Sequence, residues 1–478
     1  MLYVRTTVRA LEPKSADTDL YLPRSVCSRL HIPQATLTFQ FGSKQVTGRV
    51  KGYGQKDIAV LRPSLVYALR IPTDVPLLLR YEASQQRLVF GPLIGILVSR
   101  YSQSSPTPFG TFTPFLNEIA DACRGGVVCA LRLQDVNWDT ETVHGLIRQN
   151  GAWHAATLPL PQCIYNRLIS RKSEKSDQVH SWVERCKERF IPFFNEQFLN
   201  KWHVHQALQN EPDAANHLPK TIRYHGHHDL KEMLAAYRSV YAKPASGSMG
   251  RGIYLIRAGS SGYQLIRPSA GGGVIQRFRS LKALHGELQK RIKGTPYILQ
   301  QGLKLIGVNG NPADFRVLVQ KGKRGEWAVS SMVARLGRNM VVSNIARGGT
   351  MVSASQALRI CGPMLSGPVS AEALKKVSLR LARLLEKTLQ GHYAEFGIDL
   401  GVDIHGRIWL LEVNSKPSKA NSAVQQPSAA AGVTPPRRRP RPSVVRMLDY
   451  AAYLSGFPIP LKRKSASAKA NKRKRKRR

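Results

Sequence analysis

The chain has 478 residues, of which 42% are hydrophobic, so its length allows roughly two to four domains with substantial cores. Lys and Arg number 72 against 30 Asp and Glu, and the resulting net charge of +42 favours an anionic partner such as nucleic acid, a phosphate polymer or an acidic surface. We expect a cytoplasmic chain with reduced thiols, because the longest apolar run (residues 89–98) is too short for a bilayer, the N-terminus lacks an apolar signal core, and the six cysteines show no CxxC spacing.

A weak internal repeat covers residues 20–90. Each unit is predicted to form a short helix, a proline turn and a strand of alternating apolar residues. Neither unit can bury its faces alone, so we expect residues 1–90 to form a small, duplicated, β-rich domain of the double-psi barrel type. The repeated positions are Leu22, Ser25, Leu30, Ile32 and Pro33, which recur as Leu61, Ser64, Leu69, Ile71 and Pro72.

Residues 91–190 are predicted to form an α/β domain. An apolar strand, LIGILVS, is followed by a helix that opens at Thr113 and by a second strand, VVCALRL. This strand–helix–strand order predicts a parallel sheet. Further along, residues 165–167 (Tyr-Asn-Arg) stand at a predicted strand end. Such ends often face a ligand crevice, although these residues can equally cap an edge of the sheet.

Residues 191–303 are predicted to form an α+β unit around a glycine-rich loop. A helix is predicted over residues 193–208, and further on a strand carrying Lys243 leads into the loop Ser246–Gly252. Backbone N–H groups of such loops approach phosphate oxygens, and a lysine on the adjoining strand adds positive charge. Lys220 is either a second lysine for phosphate or a solvated side chain. The loop lacks the GK[ST] of a Walker A motif and is followed by a strand, so by itself it also fits a flexible hairpin.

The next unit, residues 304–417, ends in a predicted β-hairpin with the sequence GIDLGVDIHGRIWLLEVNSKP. A two-residue turn at His405 and Gly406 places Asp399 opposite Glu412, with Asn414 on the same face. Opposed carboxylates repel each other, and a hard cation such as Mg²⁺, bridging to phosphates, would remove that penalty. A surface hairpin with solvated acids is the alternative interpretation.

Between the loop and the hairpin, four side chains are candidates for binding a phosphate or a carboxylate. Two stand on predicted strands and two in the segment SNIARGGT. The guanidinium group binds such anions through two hydrogen bonds, although a single arginine is more often a surface residue. The four candidates are Arg316, Arg335, Asn344 and Arg347.

The C-terminal part is predicted to be only partly ordered. Residues 418–442 are rich in Ala, Pro, Ser and Arg and are predicted to be a disordered linker, whereas residues 443–457 fit an amphipathic helix that docks on the preceding domains. Residues 458–478 are predicted to be a disordered basic tail. From Lys462 to Arg478 the tail holds eleven Lys and Arg and no acid, so it should bind an anionic polymer electrostatically.

The glycine-rich loop and the D…ExN hairpin together resemble the ATP-grasp superfamily, in which two α+β subdomains clamp ATP. Within it, the order GPLIGIL, IYNR, LNKW, LPKT, KPASGSMGRGI, ILQQGL, DFRVLVQ, SNIARGG and EVNSKP resembles the YheC/YheD family of endospore coat-associated proteins over roughly residues 20–417. The resemblance implies ATP-grasp subdomains at 191–303 and 304–417, preceded by an α/β pre-ATP-grasp domain and the duplicated N-terminal domain. It does not cover the linker or the tail.

The resemblance also implies ATP and Mg²⁺ as cofactors and a ligase reaction, in which ATP phosphorylates a carboxylate and an amine attacks the acylphosphate. Asp399, Glu412 and Asn414 would bind Mg²⁺, and the four phosphate or carboxylate candidates would stabilise the acylphosphate. Lys243, Lys220 and the glycine-rich loop would bind the phosphates, and the backbone of residues 300–303 would bind adenine. The implied nucleotide-binding residues are Lys220, Lys243, Ser246, Gly247, Ser248, Met249, Gly250, Gly252, Gln300, Gln301, Gly302 and Leu303.

Three functions remain open from the sequence: a ligase, a non-catalytic coat or scaffold protein that retains the fold, and a polyanion-binding protein. Lys243, Asp399 and Glu412 favour the ligase, since a scaffold needs none of them. The polyanion hypothesis rests on charge alone, because the tail has no interleaved aromatic residues. The sequence does not determine the acceptor substrate, the nucleophile or the oligomeric state. It also does not determine whether the protein, expected in the cytoplasm, associates with the spore coat.

Overall fold

The computed structural model describes residues 2–12, 17–54, 58–247, 250–269, 272–337, 350–417 and 439–458. Within these ranges the strands form one closed barrel and three open sheets, which we name, in chain order, the central sheet, the loop sheet and the hairpin sheet. No helix in the described part of the chain combines the length and the apolarity that crossing a bilayer requires.

The barrel contains seven strands and two short helices. Its elements are β1 Val4–Ala10, β2 Leu20–Pro23, α1 Arg24–Leu30, β3 Thr36–Phe41, β4 Lys44–Tyr53, β5 Ile58–Leu61, α2 Pro63–Leu69, β6 Pro76–Glu82 and β7 Arg87–Gly91. The strands close in the order β1-β5-β2-β4-β3-β7-β6. In both repeat units a helix ends at a residue with positive φ, His31 or Arg70, and a strand follows. Alternation along β3 buries Phe39 and Phe41 completely inside the barrel.

The central sheet is partly parallel, with β8 lying between two parallel neighbours. Its strands are β8 Leu93–Leu97, β9 Val127–Leu131, β10 Val136–Asn137, β11 Thr142–Gln149, β12 Ala152–Pro159, β13 Cys163–Asn166 and β14 Phe193–Phe194, and its helices are α3 Thr113–Ala122, α4 Arg171–Glu174 and α5 Asp177–Glu188. Tyr165 and Asn166, at the end of β13, have no exposed surface. Tyr165 Oη donates a hydrogen bond to Glu395 Oε1 at 2.7 Å. These residues therefore lie in a junction between sheets and not at an open edge.

The loop sheet is antiparallel, in the order β15-β20-β16-β17-β18-β19. The elements of this region are α6 Lys201–Leu208, α7 Pro212–Ala215, β15 Thr221–Tyr224, α8 His227–Tyr237, β16 Ser239–Pro244, β17 Tyr254–Gly259, β18 Gly262–Ser269, β19 Gly272–Phe278, α9 Leu281–Ile292 and β20 Tyr297–Gln301. The helix predicted over residues 193–208 is wrong in its first half. Residues 193 and 194 pair with β13, and α6 begins only at Lys201, because the side chain of Asn200 caps it by accepting a hydrogen bond from Trp202 N at 2.8 Å.

The hairpin sheet has the order β24-β23-β22-β25-β26, with β21 paired to β22. Its elements are β21 Gly307–Val308, β22 Asn311–Lys321, β23 Trp327–Leu336, β24 Thr350–Ser353, α10 Ala354–Ile360, α11 Ala371–Thr388, β25 Glu395–Val402 and β26 Ile408–Asn414. Phe315 and Ile398 point into an apolar core that also contains Leu381 of α11. Because strand side chains alternate, Arg316 and Asp399 point to the opposite face, which carries the site.

The last described helix, α12 Pro442–Leu454, docks on the preceding parts of the chain. Gln320 Nε2 of the hairpin sheet donates to Ser443 O at 3.1 Å, and Arg441 binds Glu118 of α3. Just after the helix, Phe457 is completely buried against Val89 of the barrel. Helix α12 and the residues that flank it therefore contact three of the four β-structures.

Candidate active site

The polar face of the hairpin sheet carries the predicted acidic pair. Asp399 lies directly opposite Glu412, and Gly397 lies opposite Asn414. Since residues two apart along a strand share a face, Glu412 and Asn414 lie on one face with Asp399. The predicted pairing is therefore confirmed, while the role of these residues in binding metal stays a prediction.

The two-residue turn from which this pairing was predicted is wrong. The loop has three residues, 404–406, and is closed by a hydrogen bond from Asp403 N to Arg407 O of 3.0 Å. The Asp403 carboxylate stabilises the longer loop, because its Oδ1 accepts hydrogen bonds from His405 N and Arg407 N, each at 2.9 Å. A β-bulge between Asp399 and Leu400 then shifts the register by one residue. The extra loop residue and the β-bulge shift the pairing in opposite directions, so Asp399 still lies opposite Glu412.

Asp399 is buried, with 7% of its side chain exposed, and two arginines bind it. Arg316, directly opposite on β22, forms a two-point ion pair in which Nη2 lies 2.8 Å from Oδ2. Arg335 of β23 adds a contact of 2.9 Å between Nη2 and Oδ2. Burial raises the pKa of Asp399, but the charges and hydrogen bonds of both arginines outweigh it, so the pKa lies below its usual value. The carboxylate is therefore ionised at neutral pH.

Arg335 also binds a second acid, Asp314, which faces it across the strand pair. The distances are 2.5 Å from Nε to Oδ1 and 2.7 Å from Nη2 to Oδ2. Burial acts to lower the pKa of Arg335, but Asp399 and Asp314 raise it well above its usual value. Arg316 and Arg335, which were predicted to meet an acylphosphate, are thus held next to Asp399. The other two residues of that group, Asn344 and Arg347, lie outside the described residues.

Lys243 approaches the acidic pair from the loop sheet. Its Nζ donates to Gln300 Oε1 at 2.5 Å, and Gln300 Nε2 donates to Thr221 Oγ1 at 3.0 Å, so neighbouring strands orient the lysine. Burial lowers the pKa of Lys243 to about 8; the charge of Lys201 adds to this effect and Glu412 opposes it. A buried ammonium next to another cation binds an anion favourably.

Lys201 is the site residue that the sequence prediction missed. It is the first residue of α6, and its Nζ lies 3.5 Å from Glu412 Oε1 and 3.1 Å from Gly247 O. It therefore connects the glycine-rich loop to the acidic hairpin. The signal available in the sequence was the motif LNKW, in which Asn200 fits a helix cap that places the following lysine at the helix start.

The glycine-rich loop turns sharply where the sequence predicted it. Gly250 and Gly252 have φ of +67° and +69°, values that favour glycine. A Cβ on Gly252 would lie 2.8 Å from Tyr297 Oη, which donates to Gly252 O at 2.9 Å. Ser246 Oγ accepts a hydrogen bond of 3.1 Å from Asn200 Nδ2, so that α6 and the loop are joined. Ser248 and Met249 lie outside the described residues.

The segment Gln300–Leu303 is predicted to bind adenine through its backbone. Two of its backbone N–H groups already donate hydrogen bonds to carbonyl groups of the protein. Gln301 N donates to Lys220 O and Gly302 N donates to Ser239 O, both at 2.8 Å. Lys220 itself has an exposed side chain just before β15. The structure therefore holds Lys220 through its backbone and leaves its side chain at the surface.

The oxygen donors on this face fit Mg²⁺ bound together with phosphates. Glu412 is 25% exposed and only loosely held by Lys201, and Asn414 lies beside it on the same face. In the described part of the chain no group of three or more His, Cys, Asp or Glu is placed to hold a metal by itself. Mg²⁺ commonly uses one or two carboxylates, waters and substrate phosphates, and this donor set suits that mode.

The family-model match and the curated relatives agree on one family. Residues 190–454 match the family described as YheC/D like ATP-grasp. The chain is 28% identical to endospore coat-associated protein YheD of Bacillus subtilis (strain 168) over 455 residues, which cover 92% of this chain and 95% of that protein. It is 22% identical to YheC of the same organism over 291 residues, 60% of this chain and 79% of that protein. The solved structure of D-cycloserine synthetase DcsG is similar with a TM-score of 0.44 at 13% identity, over 76% of this chain and 99% of that one. A likeness of that size supports no inference about a substrate.

Replacing Arg335 should destabilise the protein. In Arg335→Met, the buried acids Asp314 and Asp399 lose a shared cation, and we expect the free energy of unfolding at pH 7 to fall by about 3 kcal/mol or more. Because the folded pKa of Asp399 is depressed, its ion pairs stabilise the fold above the unfolded pKa of about 4 and are lost as pH falls through the folded value. The deficit should therefore shrink in acid.

Urea unfolding at pH 7 and at about pH 3, below the unfolded pKa, measures this effect. Arg9→Met is a matched control, because the Arg9–Asp74 pair is exposed and should contribute less than about 1 kcal/mol. Equal losses in the two variants would contradict the role given to Arg335.

Proposed function

The chain belongs to the YheC/D-like ATP-grasp family, and on that premise we propose that it is an ATP- and Mg²⁺-dependent ligase that joins a carboxylate to an amine through an acylphosphate. The observation that carries the proposal is the meeting of Lys201 and Glu412 at 3.5 Å, which brings the lysines beside the glycine-rich loop to the acidic hairpin. The domain division, with clamping halves at 191–303 and 304–417, is part of the same proposal.

In this proposal, the chain mainly binds and orients charged groups. Lys201 and Lys243 hold the phosphates, and the loop backbone covers them. Asp399, Glu412 and Asn414 hold Mg²⁺, which neutralises charge on the transferred phosphoryl group when bound. We keep Lys220, and the backbone from Gln300 to Leu303, as proposed contacts of the nucleotide.

The proposed reaction has two steps. A carboxylate oxygen of the first substrate attacks the γ-phosphorus of ATP, and ADP leaves with the bridging oxygen. The amine then attacks the acylphosphate carbonyl, and phosphate leaves as the amide forms. Such chemistry depends on positioning and charge neutralisation. Arg316 and Arg335, with Asn344 and Arg347 beyond the described residues, are proposed to stabilise the acylphosphate.

A second candidate function is a non-catalytic scaffold in the spore coat. The relatives YheD and YheC are endospore coat-associated by name, and we propose that this chain also associates with the coat. Both carboxylate oxygens of Asp399 are bound by Arg316 and Arg335, an arrangement that a scaffold tolerates as well as an enzyme. ADP release, screened with amino acids, peptides and polyanions as acceptors, separates the two functions.

Glu412→Gln should weaken MgATP binding. The amide keeps the shape of the side chain but removes its negative charge, and we expect an affinity lower by about tenfold or more by calorimetry. Because Glu412 is partly exposed, the melting temperature without nucleotide should stay near that of the wild type. Wild-type affinity in the variant would remove the acidic hairpin from the proposal.

Lys243→Met should weaken MgATP binding and abolish its dependence on alkaline pH. The pKa of Lys243 is about 8, so raising the pH from 7 to 9 removes most of its positive charge. Wild-type affinity should therefore fall by about tenfold over this interval, since bound phosphates favour the protonated form. The methionine variant should show a low and nearly constant affinity. An equal pH dependence in both proteins would show that another group titrates.

The segment Lys462–Arg478 is proposed to bind a polyanion or the coat layer and to play no part in nucleotide binding. It carries eleven positive charges in seventeen residues and no acid, so the charges repel one another. Deleting it should leave the melting temperature and the MgATP affinity unchanged and should reduce retention on heparin, most strongly at low salt. Unchanged heparin retention would instead place the anion-binding surface on the rest of the chain.

A further inference from the structure

Glu174, the last residue of α4, joins three separate parts of the chain. Its side chain is 5% exposed. Its Oε1 accepts a hydrogen bond of 3.1 Å from Asn166 Nδ2 and forms an ion pair with Lys416, which is itself 2% exposed. Its Oε2 accepts a hydrogen bond of 2.5 Å from Phe198 N. One buried carboxylate therefore holds the end of β13, the segment before α6 and the segment after β26.

Ser415 joins two of these segments a second time. Its Oγ donates to Gln197 O at 2.6 Å and accepts from Leu199 N at 3.2 Å, and the residue is buried. The Ser415 side chain thus binds the backbone of the stretch 197–199 directly, and Glu174 links the same stretch to Lys416. Neither connection belongs to a sheet, because β14 ends before the first stretch and β26 ends before the second.

Both stretches lead directly into the nucleotide site. Lys201 follows Phe198 by three positions, and Lys416 follows Asn414 by two and Glu412 by four. The gap of 3.5 Å between Lys201 Nζ and Glu412 Oε1 lies just beyond these anchors. A shift of either stretch would therefore change the spacing between the phosphate lysine and the metal-binding side chains.

We propose that Glu174 is a positioning residue for the MgATP site, acting through Lys416 and the backbone of Phe198 to set Lys201 against Glu412 and Asn414. This inference rests on the proposed function. It extends the site to the N-terminal part of the chain, because α4 lies outside the matched residues 190–454. The chemistry requires a carboxylate at this point: only an anion compensates buried Lys416 while it also accepts hydrogen bonds from Asn166 and Phe198.

A purely structural role predicts a different pattern of effects. Removal of one partner of a buried ion pair destabilises a protein, whereas removal of both partners is often tolerated. If Glu174 and Lys416 only stabilise the fold, a double variant that regains stability regains MgATP binding too. If they position the site, stability returns and affinity does not.

The experiment measures two quantities in the full-length chain. The first is the melting temperature without nucleotide. The second is ATP affinity, measured by calorimetry at several Mg²⁺ concentrations and at a temperature where each variant is folded. The variants are Glu174→Gln, Lys416→Met, the double variant Glu174→Gln/Lys416→Met, and Glu174→Asp. We expect each of them to lose MgATP affinity by about tenfold or more and to need more Mg²⁺ for binding. The double variant should melt at a higher temperature than Lys416→Met.

Glu174→Asp keeps the argument testable if the other variants fail to fold. It preserves the charge but is shorter by one methylene, so it cannot reach both Lys416 and Phe198 N. Because an anion stays beside Lys416, its melting temperature should fall less than that of Glu174→Gln or Lys416→Met. The matched control is Asp135→Asn. Asp135 is another buried acid of the N-terminal part, bound by Arg132 and Tyr101, and its loss should lower the melting temperature without changing MgATP affinity.

The possible outcomes distinguish the positioning role from a purely structural role and from failure of the proposed function. Wild-type MgATP affinity in Glu174→Asp and in the double variant, with weakened binding in Glu412→Gln, would overturn the positioning role and leave the proposed function standing. Equal losses of MgATP affinity in Asp135→Asn and Glu174→Asp would show that the effect comes from reduced stability in general, and they would also overturn the positioning role. A wild-type chain that binds no MgATP would refute the proposed function itself, and this inference with it.

Discussion

The site is organised by the need to bury Asp399 as a charge. A carboxylate with 7% of its side chain exposed is costly unless it is paired and hydrogen-bonded. The chain meets this need with Arg316 from β22 and Arg335 from β23, and Asp314 in turn binds the second arginine. Because Arg316 lies directly opposite Asp399, a shift of β22 against β25 by one residue would turn the guanidinium to the apolar face. Charge compensation therefore helps to set the register of three neighbouring strands.

This compensation makes the two acids of the hairpin unequal. Asp399 is fixed by two guanidinium groups, whereas Glu412, directly across the strand pair, is 25% exposed and meets Lys201 only at 3.5 Å. A partly exposed and loosely held carboxylate reorients at little cost, and a buried one with several hydrogen bonds does not. In the proposed complex, Asp399 thus supplies a rigid ligand position, and Glu412 supplies the position that adapts to the phosphates.

Sequence reasoning was strongest where a local pattern determines the geometry. The glycine-rich loop and the D…ExN hairpin led to the ATP-grasp fold class and to the YheC/YheD resemblance, and the family match confirms both. The Asp399–Glu412 pairing was correct only because a three-residue loop and a β-bulge cancel; neither is visible in an apolar alternation. Lys201 was missed because its partner Glu412 is more than two hundred residues away, and local periodicity carries no information about such a contact. The helix predicted from residue 193 was wrong for a related reason: residues 193 and 194 pair with β13, so a tertiary contact overrides the local pattern.

The two halves of the site come from different sheets, and this has a consequence for how the site is held together. In the described residues no strand of the loop sheet pairs with a strand of the hairpin sheet, so no ladder of backbone hydrogen bonds sets the distance from Lys243 to Asp399. Side chains and short connecting segments set it instead, including Lys201 between Gly247 O and Glu412 and Ser415 between Gln197 and Leu199. Such contacts are individually weaker and more local than a sheet ladder. The relative position of the proposed phosphate-binding and metal-binding groups is therefore the property of this fold that depends most on single side chains, and least on the cores that make each half stable.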